Sequence, residues 1–222
     1  MKLLIDSANV AKIEAYLQYL PIEGITSNPS ILKKEGKIDV VRHMKLIRER
    51  IGNQKSLHIQ VIANDFEGII RDASRILDSV DDQVYIKIPI NQAGMQAIKY
   101  LKEQKVNITA TAIYSSIQAI MAKEAGADFL APYVNRMENL NTNPYEVIES
   151  VSRNIEMTQS STQILAASFK NIDQVLKANM SGASHVTVGT DIIDSFFQDK
   201  NIQGAIDAFQ SDWQEIHGRL NF

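Results

Sequence analysis

Short apolar runs alternate with longer amphipathic stretches from one end of this 222-residue chain to the other. That rhythm restricts the fold more than any other feature. Apolar runs fall at residues 3–6, 24–26, 57–63, 84–89, 107–112, 128–133, 163–168 and 185–189, and each has the length and composition of a buried strand. Helix signals lie between them. Val10, Ile13, Leu17 and Leu20 share one helical face. Asn28-Pro29-Ser30 places a proline where a helix can begin without its N–H. Asp65 is a capping residue ahead of Phe66, Ile69, Ile70, Ala73 and Leu77, which fall on one side. Residues 91–104, 115–125, 144–158 and 171–179 carry the same pattern, and two more helices are expected near 191–198 and 202–217. Eight strands separated by helices predict repeated βα units and a parallel sheet.

No Pro-, Gly- or Ser-rich linker breaks the rhythm, so one domain over residues 1–222 is expected. The fold class is α/β, and the expected architecture is a closed (β/α)8 TIM barrel near the short end of its size range. The competing fold is an open doubly wound sheet, which normally displays a glycine-rich phosphate loop after its first strand. Here Gly24 stands alone, and Gly182 and Gly189 lie in other loops. Residues 202–222 exceed what eight units require and form a C-terminal helical extension. Its apolar side (Ile206, Phe209, Trp213, Ile216) covers either a face of the same barrel or a neighbouring subunit.

Composition removes several function classes. A hydrophobic content of 45% is that of an ordinary globular protein, and a net charge of −3 gives no footprint for nucleic acid or an anionic membrane. Cysteine is absent, which excludes disulfides, thiolate catalysis and cysteine metal sites. His43, His58, His185 and His217 are scattered without metal-ligand spacing, so no metal is expected. The apolar start at Met1 is cut short by Asp6, against a signal peptide, and no apolar run reaches the length of a membrane span. A cytoplasmic location is the natural expectation.

Lys87 is the residue most out of place. It lies inside Val84-Tyr85-Ile86-Lys87-Ile88-Pro89-Ile90, a β-branched, apolar run. Burying an ammonium costs several kcal/mol unless the charge is paired or lost, and a lysine that loses its proton becomes a nucleophile able to form a Schiff base with a carbonyl. The alternative is a strand-end lysine that reaches water or pairs with an acid. In a parallel barrel, chemistry sits at the C-terminal ends of the strands, and polar residues collect there: Asp6, Thr26-Ser27-Asn28, Gln60, Lys87, Thr109 and Thr111 on one face, Tyr133 with Asn135 and Arg136 beyond it, and Ser168 followed by Lys170. Singly, each except Lys87 has a structural reading: Asp6 a helix cap, Asn28 a turn residue, Thr111 a β-former, Gln60 a partner for backbone. Seven successive strand ends around one lysine favour a site.

Five segments, in this order, resemble the small transaldolases and the related fructose-6-phosphate aldolases: Leu4-Ile5-Asp6-Ser7-Ala8, Gly24-Ile25-Thr26-Ser27-Asn28-Pro29-Ser30, Ile86-Lys87-Ile88-Pro89, Ala131-Pro132-Tyr133-Val134-Asn135-Arg136 and Ala166-Ala167-Ser168-Phe169-Lys170. The resemblance implies a class I aldolase-type barrel with no metal and no organic cofactor. It implies that Lys87 is the Schiff-base lysine and that Asp6 and Asn28 bind substrate hydroxyls and help proton transfer. Thr111 would help hold a catalytic water, and Arg136 and Ser168 would bind phosphate. Thr26, Ala131 and Lys170 complete the substrate-binding set.

Two positions separate the branches of that family: transaldolases are similar to one another in having glutamate at the position of Gln60 and phenylalanine at that of Tyr133, whereas the aldolases carry glutamine and tyrosine, as here. The implied reaction is cleavage of fructose 6-phosphate to dihydroxyacetone and glyceraldehyde 3-phosphate, and its reverse. Transaldolase activity on sugar phosphates and a non-catalytic sugar-phosphate-binding barrel are the alternatives. The family likeness also implies a homo-oligomer, pentameric rings often paired into decamers. His58 shares the face of Gln60 where aldolase relatives carry an aromatic residue, so it either lines the pocket or is a satisfied interior histidine. Lys170 stands where larger transaldolases carry arginine, which implies modest phosphate affinity and tolerance of unphosphorylated acceptors.

Overall fold

A computed structural model describes residues 1–222. Eight parallel strands close into a barrel in sequence order: β1 (Lys2–Asp6), β2 (Ile22–Thr26), β3 (Ser56–Gln60), β4 (Tyr85–Pro89), β5 (Ile108–Ile113), β6 (Phe129–Pro132), β7 (Gln163–Ala166) and β8 (His185–Val188), with β8 pairing back onto β1. The helices are α1 (Val10–Leu17), α2 (Pro29–Leu32), α3 (Val40–Ile51), α4 (Phe66–Ser79), α5 (Gln92–Glu103), α6 (Ser116–Glu124), α7 (Val134–Asn139), α8 (Pro144–Met157), α9 (Ile172–Met180), α10 (Thr190–Ser195) and α11 (Lys200–His217). The expected (β/α)8 barrel with an additional C-terminal helix is therefore the observed one. No helix is long and apolar enough to cross a membrane.

Asparagine and aspartate start most of the helices. Asn9, Asn28, Asp39, Asp65, Asn91, Asn143, Asn171 and Asp199 each accept a hydrogen bond from a first-turn backbone N–H, which satisfies a donor that has no partner inside the helix. One glycine fixes how closely a helix follows its strand. A Cβ on Gly94 would lie 1.9 Å from the Pro89 carbonyl oxygen, so only glycine lets α5 begin so near the end of β4, the strand that carries Lys87.

Alternation along the strands sorts the side chains. Ile5, Ile25, Leu57, Ile59, Ile86, Ile88, Ala110, Leu130 and Ile164 belong to the large apolar cluster between sheet and helices. Inside the barrel the apolar cluster contains only Leu4, Phe129 and Leu165, with Tyr85 against them. Most of the remaining interior is polar: Thr26, His58, Lys87, Thr109, Thr111, His185 and Thr187 are all buried. A barrel of this size is usually filled by branched apolar layers, so this interior departs from the rule at the level of Lys87 and on both sides of it.

His58 sits on the lower side of that level. It is fully buried, with Nδ1 2.7 Å from Thr109 Oγ1 and Nε2 2.9 Å from Ser56 Oγ, and it stacks on Tyr85 with ring centroids 4.7 Å apart. Of the two readings of this residue, the satisfied interior histidine is the one observed.

The element boundaries differ from the sequence reading where side chains take over the ladder. The third strand ends at Gln60 rather than Ala63 because the Ile62 and Ala63 N–H groups donate to Asp72 Oδ2 at 2.8 and 2.9 Å. The seventh ends at Ala166 because Ser168 turns with φ +64°. Two helices were not anticipated: α3, despite its Asp39 cap and its buried Met44, Ile47 and Ile51, and the short α7, which carries Arg136. Helix α11 does not dock on its own barrel. Ile202, Ile206, Phe209 and Ile216 are exposed, and the partly buried Trp213 meets the rings of His217 and Phe222, with centroids 4.0 and 4.8 Å away.

Burial, and after it the charge of Lys87, holds His58 well below the usual histidine range. Burial, then the Lys2 charge, brings His185 down to about 4. Both are neutral in the folded protein near neutral pH, whereas the unfolded chain binds a proton on each at about 6.5. Stability from these two groups is therefore fully present above 6.5 and lost as the pH falls below it. Urea unfolding from about pH 8 to about pH 5 should show that decline, and His58→Phe should flatten it. An unchanged slope in the variant would contradict the assignment.

Candidate active site

Lys87 is 2% exposed. It alternates with Ile86 and Ile88, which face the helices, and it is paired in register with Gln60 on β3 and Thr109 on β5. Its side chain therefore enters the barrel. No hydrogen-bonding partner holds its amine, and none of the ion pairs of the chain involves it. The amine is inside, and no acid locks it.

Asp6 ends β1 across the interior from it. Thr26 Oγ1 donates to Asp6 Oδ1 at 2.6 Å and lies 2.7 Å from Thr187 Oγ1. With the Thr26 proton on Asp6, the Thr187 hydroxyl must donate to Thr26. This relay across β8, β1 and β2 fixes the carboxyl orientation, so Thr26 is committed to Asp6 and suits a positioning role. Burial raises the Asp6 pKa from its ordinary 3.8; the charge of Lys87, the Thr26 hydrogen bond and the charges of Lys34 and Arg136 oppose that rise without cancelling it. A carboxyl whose pKa is raised in this way holds its proton more readily than a free one and is suited to proton exchange. A hollow of about 240 Å³ opens beside Asp6, lined among others by Ser7, Ile31 and Lys34.

On the opposite side, Thr111 Oγ1 donates to Tyr133 OH at 3.0 Å. The tyrosine oxygen is thus an acceptor there, and its own proton is available to another group. Backbone geometry aims Thr111. Thr109 and Thr111 share the inward face by alternation; Ala112 has φ +59° and the β5–β6 register shifts between Ala110 and Ile113, a bulge that ends the regular pairing directly after Thr111. A left-handed alanine costs about 1 kcal/mol. Gln60 brings a buried Oε1 with no protein partner, an acceptor open to a substrate hydroxyl or a water.

At the mouth, the Arg136 guanidinium lies 4.6 Å from the Tyr133 ring centroid, and Nη1 donates to Tyr114 OH at 3.4 Å. The Tyr114 hydroxyl is the main reason the Arg136 pKa is raised. Tyr114 also meets Tyr133 edge-on at 5.7 Å. Asn135 N donates to Ser168 O at 2.8 Å, so the Ser168 loop lies against the start of α7. Lys170 is exposed on that loop. Ala131 is buried, one step along β6 from Phe129 on the inward face. The side-chain oxygen of Asn28 accepts from Ile31 N at 3.0 Å, which leaves its amide NH2 as the free end.

Asp6, Thr26, Gln60, Lys87 and Thr111 thus lie on the inward faces of neighbouring strands, with Tyr133 joined to them through Thr111, while Arg136, Ser168 and Lys170 follow the ends of β6 and β7. Residues 3–220 match the family model described as Transaldolase/Fructose-6-phosphate aldolase. A Streptococcus pneumoniae protein named probable fructose-6-phosphate aldolase is 47% identical over 213 residues, covering 96% of each chain. The chain belongs to the transaldolase/fructose-6-phosphate aldolase family. The match extends over nearly the whole barrel and includes every candidate site residue named above.

Sequence reasoning passed over Thr187 and Tyr114. Thr187 is an inward threonine near the end of β8. Tyr114 is an aromatic residue directly after β5. The signal for both was position, a polar group at or just past a strand end.

The raised Asp6 pKa gives a stability test. For an acid easier to bury neutral, the contribution is fully present below 3.8 and lost as pH rises through the raised folded pKa. Asp6→Asn can still accept from Thr26 and escapes that loss. Its melting temperature should exceed that of the parent at about pH 8, with the gap closing towards about pH 4. A gap that is constant with pH would contradict the assignment.

Proposed function

We propose that this chain is a Schiff-base aldolase that cleaves fructose 6-phosphate to dihydroxyacetone and glyceraldehyde 3-phosphate and runs the reverse addition. The observation that carries the reading is Lys87, a lysine amine inside the barrel with no carboxylate partner and with Asp6 bearing on it electrostatically. Burial of that kind is costly and is used where the amine itself must react.

The Lys87 amine attacks the C2 carbonyl of the ketose, and the carbinolamine loses water to form an iminium. The C3–C4 bond breaks, its electron pair passing into the iminium to give an enamine. Asp6 takes the proton of the C4 hydroxyl, and glyceraldehyde 3-phosphate leaves from Arg136, Ser168 and Lys170. The enamine carbon is protonated through a water held by Gln60 and Thr111, with Tyr133 as the acid. Hydrolysis of the resulting iminium then frees dihydroxyacetone and the amine. Asn28 offers its amide NH2 to a substrate hydroxyl, and the small Ala131 leaves room for the bound carbons. No metal or organic cofactor enters these steps.

The pair Gln60 and Tyr133 favours this reaction over transaldolase transfer, the alternative within the family. An enamine held for a sugar-phosphate acceptor must be shielded from protonation. Here a tyrosine hydroxyl oriented by Thr111 can deliver a proton, which a phenylalanine ring cannot. The exposed apolar side of α11 supports a homo-oligomer in which this helix packs on another copy. A cytoplasmic location fits a sugar-phosphate substrate.

An assay of dihydroxyacetone release from fructose 6-phosphate, with no aldehyde acceptor present, tests the reading. The parent should release it, and Lys87→Met should release none while melting no lower than the parent. Tyr133→Phe should slow acceptor-free cleavage by about a hundredfold and slow transfer to an added aldose phosphate much less. Turnover that appears only with an acceptor would assign the chain to transaldolase chemistry. Sugar-phosphate binding without turnover would leave the non-catalytic barrel.

A further inference from the structure

The loop after β7 carries Ser168 and Lys170, with Ser168 at φ +64° and Lys170 exposed. One buried side chain ties this loop to the helix that carries Arg136. Gln174, in the first turn of α9, is 5% exposed. Its Oε1 accepts from Lys170 N at 2.7 Å, and its Nε2 donates to Asn135 Oδ1 at 3.2 Å and to Glu138 Oε2. Its own backbone N–H is capped by Asn171 Oδ1 at 2.9 Å. Glu138 is held in turn by Tyr145 OH, which donates to Oε1 at 2.6 Å.

Asn135 N donates to Ser168 O at 2.8 Å. Residues 168–170, Gln174 and Asn135 therefore form a closed ring, and Arg136 is the next residue along. An amide side chain fits this ring because one acceptor and two donors are needed on the same planar group. Methionine supplies none of them, and glutamate would set a second carboxylate against Glu138.

We propose that Gln174 is a positioning residue for phosphate recognition: by fixing the Ser168–Lys170 loop against Arg136, it sets the preference for phosphorylated over unphosphorylated aldehydes. The inference rests on the aldolase reading of the site, and its failure is separable because Gln174 touches neither Lys87 nor the groups around the amine.

The test is aldol addition of dihydroxyacetone to glyceraldehyde 3-phosphate and to glyceraldehyde. Gln174→Met should lower kcat/KM for the phosphorylated aldehyde by about tenfold or more, through KM. The value for glyceraldehyde, and borohydride trapping of dihydroxyacetone on Lys87, should stay within about twofold. Gln174→Glu should lose the preference as well. The double exchange Gln174→Glu with Glu138→Gln moves the donor of that contact to the other side, and an Asn135 amide turned to donate its NH2 closes the ring again, so the preference should be restored. Equal losses for both aldehydes, no loss, or a double exchange that regains the melting temperature without the preference would overturn the proposal. Absence of trapping in the parent protein would overturn both this inference and the aldolase reading beneath it.

Discussion

The arrangement depends on keeping one amine out of water without giving it an acid to bind. An ion pair would be the cheaper way to bury Lys87, since an unpaired charge in a protein interior costs several kcal/mol. Here the carboxylate that feels the Lys87 charge is Asp6, itself oriented by Thr26 and Thr187. Its pKa is raised by burial. The two groups influence one another and remain free to exchange protons with a third. A salt bridge would stabilise the fold and silence both.

The rest of the barrel serves that condition. Apolar side chains are concentrated between sheet and helices, which leaves the interior to threonines, two neutral histidines and the lysine. Beneath the amine, His58 is saturated by Thr109 and Ser56. Above it, the polar atoms are oriented but incompletely used: a Gln60 oxygen without a protein partner, a Tyr133 hydroxyl that only accepts, and the Asn28 amide, whose oxygen alone is engaged. Two of the left-handed non-glycine residues, Ala112 and Ser168, lie at the same end, directly after Thr111 and in the loop that follows β7. Such positions are where a packed fold gives up stability for chemistry.

Much of this was legible in the sequence because strand register makes it so. Side chains alternate with period two, so a lysine between Ile86 and Ile88 and threonines at 109 and 111 had to share the inward face once the strands were found. Barrel closure followed from the βα rhythm and the lack of a glycine-rich loop. What could not be read were the contacts that cross between elements. The Thr187–Thr26–Asp6 relay joins residues 161 and 20 positions apart in the chain, and the Gln174 ring joins α9 to α7 over 39. Helix α3 carries its Asp39 cap and an apolar period, but it follows α2 within the same βα unit, where the alternating rhythm calls for a single helix. The status of His58 needed the structure, since only the positions of Thr109 and Ser56 show that both ring nitrogens are satisfied.

The central claim is that the Lys87 amine condenses with a ketone inside the barrel. Incubation of the protein with dihydroxyacetone and borohydride, followed by mass spectrometry of the digested chain, examines that bond itself. The account predicts a single reduced three-carbon adduct on the peptide containing Lys87. Adducts confined to exposed lysines such as Lys170, or none in a preparation that turns over, would contradict it.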